Sequence, residues 1–160
     1  MNGPSDGAAG PSPQTRRAPS PAGGTPDPSV PPAGSAPRTY TVELPAGLKL
    51  LSLNDRLHWA ERDRRTEALK KAAWAMAWQA KIPPLGRVSI VAEYQPPDGR
   101  HRDADNIAPA AKAAIDGLVI AQVVPDDESP RYVTEVICRI GEPYPRGRLV
   151  LRLTEVTEAA

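Results

Sequence analysis

From Leu57 to Lys81 the chain contains neither glycine nor proline, although its 160 residues include 12 glycines and 20 prolines. Within this run Leu69, Ala73, Met76, Ala77 and Ala80 recur at the spacing of one helical face. Pro83 and Pro84 follow and remove the N–H groups a further turn would need. The pattern predicts one long amphipathic helix. Trp74 and Trp78 form a second stripe on it, read as core or interface packing in preference to a base-stacking platform.

Alternation marks the strands. In "RTYTVELP" Tyr40, Val42 and Leu44 alternate with Thr39, Thr41 and Glu43, and in "GRVSIVAEYQ" Val88, Ile90, Ala92 and Tyr94 alternate with polar partners. "RYVTEVICRIG" and "GRLVLRLTEV" repeat the pattern, with Cys138 on the face of Val136 and Ile140 as a buried small residue. Between the second and third strands, Ile107, Ala110, Ala111, Ala114, Ile115 and Leu118 mark a second helix. Pro109 is compatible with that helix only in its first turn, so Asp105 or Asn106 is the expected N-cap. The order β-α-β-α-β-β predicts a two-layer α+β domain over residues 38–158, with both helices on one face of a mixed sheet.

Residues 1–37 are different in kind. Of these 37, 27 are Pro, Gly, Ser or Ala, too few apolar side chains to offset the entropy of ordering, so a disordered tail is expected. Its charges, Asp6, Arg16, Arg17 and Asp27, cancel, leaving the domain with the chain's net charge of +1. A near-neutral domain meets DNA only if its charge is segregated by face or offset by metal. No stretch resembles a secretion signal or is long enough to span a bilayer, so a soluble cytoplasmic protein is expected. One cysteine excludes an internal disulfide framework and a cysteine-based zinc cluster.

Chemistry concentrates in two short segments. "RHRDADN" sets Asp103 and Asp105 two residues apart in a basic cluster, and "PDD" supplies Asp126 and Asp127 beyond the second helix. Carboxylates delivered to neighbouring loop ends repel one another unless protonated or bridged by a cation, and hard oxygen donors suit Mg²⁺ or Mn²⁺. Asp-x-Asp is also a common turn, and the spacing alone leaves both readings open. An EF-hand would want Gly at Ala108 and Glu at Ala114, which this chain lacks. Lys112, two turns beyond Asp105, could contact a phosphate or pair with Asp116 at i,i+4.

Taken together, "SLNDRLHW", "RDADN", "KAAIDGL" and "PDD" resemble the RusA family of crossover junction endodeoxyribonucleases, the small Holliday-junction resolvases, over roughly Tyr40 to Val156. The resemblance implies a homodimer that uses Mg²⁺, with Mn²⁺ as a substitute, to nick two strands of a four-way DNA junction in recombination and repair, in association with the nucleoid. It implies Asp103, Asp105 and Asp127 as metal ligands and Lys112 as the essential lysine. Asn106 supports the first pair, Asp126 is accessory, and Asp116 is a motif residue without an assigned role. Arg62, Arg65, Arg100 and Arg102 are the candidate DNA contacts. The chain departs from the family pattern twice: its link from Asp105 to Lys112 is longer and contains Pro109, and Gln122 stands where Gly is usual after the helix. A left-handed turn there would cost the glutamine on the order of 1 kcal/mol. Two alternatives remain, a junction-binding protein without catalysis and a metal-dependent phosphodiesterase with another substrate.

Overall fold

The computed structural model describes residues 36–127 and 130–157. The expected tail therefore lies outside the described residues, apart from Ala36 and Pro37. The elements are β1 (Thr39–Glu43), α1 (Trp59–Gln79), β2 (Val88–Gln95), a 3-10 turn (Ala104–Ile107), α2 (Ala108–Ile120), β3 (Val133–Ile140) and β4 (Arg148–Glu155). They form an α+β fold on a mixed four-stranded sheet of order β1-β4-β2-β3. β4 runs antiparallel to both neighbours, while β2 and β3, joined through α2, are parallel.

Register explains the core. Val42, Leu151, Ala92 and Cys138 line up across the four strands, and Tyr40, Leu153, Ile90 and Val136 form the next row. Val42, Leu151, Ala92, Leu153 and Ile90 are buried, whereas Cys138 is half-buried and Val136 is 44% exposed. Cover thus fades toward the β3 edge of the sheet. The opposite face carries a polar ladder: Arg148 bonds Glu43 and Gln95 at 3.1 and 2.6 Å, and Glu93 accepts from Gln95 and Arg152 at 2.9 and 3.1 Å. Burial raises the pKa of Glu93, but the bonds from Gln95 and Arg152 outweigh it and keep the carboxylate ionised.

The apolar stripe of α1 buries Leu69, Ala73 and Ala77, but Met76 is half-buried and Ala80 is exposed. Trp74 and Trp78 lie outside the core, which corrects the core half of the expectation of core or interface packing. They are 41% and 72% exposed and stack on each other with ring centroids 6.4 Å apart. Where α1 meets α2 at Gly117 the inward residue is the small Ala73, while the larger Leu69 is buried one turn earlier. Gly117 of α2 is the point of closest approach: a Cβ there would lie 2.3 Å from the carbonyl oxygen of Lys70.

Both helices end in the same way. The N–H groups of Lys81 and Ile82 return to the carbonyls of Trp78 and Ala77, and those of Gln122 and Val123 return to Val119 and Leu118. This is the Schellman pattern, which needs a left-handed residue just past the cap. Lys81 and Gln122 occupy those positions with φ of 52° and 59°.

Candidate functional site

The start of α2 departs from the expected capping. A 3-10 turn precedes the α-helix, capped by Asp103, whose carboxylate accepts the N–H of Asp105 at 3.2 Å, and the N-cap of α2 itself is Ile107, without a side-chain cap, not Asp105 or Asn106. Pro109 falls in the first turn of α2, as its missing N–H demands. The tighter turn takes up Asp105 and Asn106, so the side-chain cap belongs to the 3-10 turn and α2 begins one or two positions later than expected.

Against this turn lies the loop preceding α1. The amide of Asn54 donates to Oδ1 of Asn106 at 3.2 Å, and the N–H of Leu53 donates to the Asn106 carbonyl at 3.0 Å. That loop is itself shaped by Asp55, whose carboxylate accepts the Ser52 N–H at 2.9 Å. "SLND" and "RDADN", far apart in the chain, thus form one surface.

A second cluster sits farther along α2. Lys112 donates to Asp116 at 2.5 Å and also pairs with Asp127. Burial pulls the Lys112 pKa down, yet its bonds to Asp116 and Asp127 outweigh that and hold it above the ordinary lysine value. The Lys112 bond correspondingly holds Asp127 below the usual carboxylate range. Asp127 comes after the end of α2, so the segment from Ala121 turns back along the helix. Asp126 helps fix this turn by accepting the Asp127 N–H at 2.7 Å.

The predicted acids therefore form two groups along the side of α2. Asp103 and Asp105 stand at its start, while Asp116 and Asp127 share the ammonium of Lys112, roughly 10 Å farther on by helical rise. Among the described residues no three His, Cys, Asp or Glu side chains converge as a metal-holding group. The donor set, all carboxylate oxygen, fits Mg²⁺ or Mn²⁺ chemically. Asp105 also lies near β3, where burial first and the Asp105 charge second raise the pKa of the Cys138 thiol.

The basic candidates differ in how firmly they are held. Arg65 is 20% exposed and bonds Glu61 at 2.8 Å and the Leu50 carbonyl at 3.2 Å. Arg102 is 27% exposed and bonds Asp98 at 2.8 Å, and through that bond first it lowers the Asp98 pKa. Among the described residues the Arg62 side chain reaches only the Asp55 carbonyl, at 3.3 Å, and Arg100 is 85% exposed, with Asp98 at 3.8 Å. Sequence reading missed Tyr94 and Ile140, which line a cleft with Asp103 and Asn106. Their alternating positions marked them only as strand residues.

Among the described residues, no helix is long and apolar enough to cross a membrane. No family model matches the sequence. The chain is similar to a protein of Xylella fastidiosa (strain Temecula1 / ATCC 700964) described as uncharacterized, with 28% identity over 125 residues, covering 75% of this chain and 79% of that protein.

Proposed function

We propose that this protein is a metal-dependent, structure-specific endodeoxyribonuclease of the RusA type, which cleaves four-way DNA junctions as a homodimer associated with the nucleoid. The observation that supports this reading is the pairing of the motif segments around α2. Asn54 of "SLNDRLHW" meets Asn106 of "RDADN", and Lys112 of "KAAIDGL" meets Asp127 of "PDD". Chance turns have no reason to be joined in this way.

Asp103 and Asp105 would hold Mg²⁺ or Mn²⁺, joined by Asp127 once it exchanges its pairing with Lys112 for the ion, and the ion when bound supplies Lewis-acid charge at the scissile phosphate. Lys112, held protonated by its two acids, offers positive charge to the oxygen that develops as the phosphodiester breaks. Asn54 fixes the Asn106 amide beside the acid pair. Arg65 and Arg102, pinned by Glu61 and Asp98, contribute directed phosphate contacts with little ordering cost. In an isologous dimer the twofold axis brings two such sites to related strands of a junction.

The deciding assay incubates the full chain with a labelled four-way junction and Mg²⁺. Paired nicks are expected, and intact DNA across Mg²⁺, Mn²⁺ and a range of pH would sink the nuclease reading. A second reading, junction binding without cleavage, is favoured by the engagement of Asp127 with Lys112. It gives tight, salt-sensitive binding with no metal-stimulated turnover.

A further inference from the structure

A cleft of about 550 Å³ opens beside Asp103, between residues 48–52, α1 and the ends of β2 and β3. Tyr94 and Ile140 line it and are register partners at the carboxyl ends of the two parallel strands. Crevices outside the carboxyl ends of parallel strands are the recurrent ligand sites of such sheets. Leu50 and Ile107 extend the apolar lining, and Arg65 and Arg102 border the same space.

The two guanidinium groups are preorganised. In Arg102 only Nη1 is engaged, by Asp98 and the Arg100 carbonyl, and in Arg65 Nε and Nη1 are engaged, by Glu61 and the Leu50 carbonyl. Among the described residues Nε and Nη2 of Arg102 and Nη2 of Arg65 have no partner, and each can donate to an anion without losing the bonds that hold the side chain. Apolar space with an aromatic residue, arginine N–H groups and one carboxylate matches the parts of a nucleotide: a flat base with a polar edge, and a phosphate. The volume is that of a small-molecule site and suits one nucleotide, not a stacked base pair.

We infer that this cleft receives a single unpaired nucleotide. The inference rests on the reading of the chain as a DNA enzyme and adds how branched DNA is told from duplex. A paired base enters only after unstacking, at a cost of a few kcal/mol that is smallest where pairing is already interrupted. A branch point meets that condition and a linear duplex does not. A free deoxynucleoside monophosphate shares the same chemistry and is the other source to distinguish.

The test uses the full chain without divalent cation and four-way junctions carrying 2-aminopurine at one position at a time. Emission rises on binding only for nucleotides at the branch point. Ile140→Trp and Leu48→Trp, which fill the cleft from different walls, abolish the rise and cut the preference for junction over duplex by roughly tenfold, the scale of one lost base stack. Unfolding midpoints check both variants; if neither folds, the wild-type emission pattern decides. Junction binding with unchanged emission at every position overturns the inference. A parallel titration with deoxycytidine monophosphate follows the amide resonances of Leu50, Ile107 and Ile140. Nucleotide binding without junction binding would sustain the cleft assignment and reject the DNA reading; neither form of binding rejects both.

Discussion

Gly117 lies so close to Lys70 that a β-carbon on the glycine would stand 2.3 Å from the lysine's carbonyl oxygen, well inside contact distance. The obstacle is backbone, which cannot rotate away as a side chain can. Gly117→Ala is expected to destabilise the fold by about 2–3 kcal/mol, as overpacking forces α2 away from α1. Denaturant unfolding measures this directly, and an unchanged midpoint would show that the helices separate at no cost.

The left-handed positions that end α1 and α2 carry side chains that prefer other backbone angles. Gln122→Gly is expected to stabilise the protein by about 0.5–1 kcal/mol, relief of left-handed strain outweighing glycine's larger unfolded-state entropy. The same sign holds for Lys81→Gly. A higher denaturant midpoint at constant slope is the signature.

Asp105→Asn and Asp127→Asn separate chemistry from architecture. Asp127 is a partly exposed partner of an exposed lysine, and its ion pair contributes no more than about 1 kcal/mol. Both variants are expected to fold and bind junctions while cleavage falls by about 10²-fold or more, the scale of losing one stabilising group at a phosphoryl centre. Circular dichroism, gel shift and cleavage on the same preparations give the three readouts. Loss of fold would make these acids structural.

Acid should weaken the edge of the sheet. The bidentate pair of Arg38 with Glu155, at 2.7 and 2.8 Å, joins the residue before β1 to the end of β4 and lowers the Glu155 pKa. A depressed folded-state value means stability that is complete above the unfolded-state value near 4.3 and is lost as pH falls through the folded one. Glu155→Gln should therefore be less stable than wild type at pH 7, with the gap closing toward pH 3. A gap independent of pH would assign the loss to packing.

Period and punctuation made the secondary elements legible, because alternation and helical spacing are local properties of Val88–Gln95 or Leu69–Ala77. Strand order was not local: nothing in "RLVLRL" says that β4 inserts between β1 and β2. For Trp74 and Trp78 ring size suggested core or interface packing, and the core half fails because both rings are exposed on this chain while Ala73 meets Gly117 at the helix contact. At the candidate site, the Lys112–Asp116 pair follows from i,i+4 spacing. The reach of Lys112 to Asp127 depends on how the chain turns back after Gln122, a path set by backbone angles and not by residue type alone.

The sheet order has a consequence for synthesis. β4 leaves the ribosome after β1, β2 and β3, yet among the described strands it is the one bonded to both β1 and β2. Until it emerges, β1 has no neighbour in the sheet, and the nascent chain carries both acid segments on an unclosed scaffold. Assembly of the sheet is thereby deferred until β4 is made, so a product terminated before β4 would carry its acidic residues without the frame that orients them.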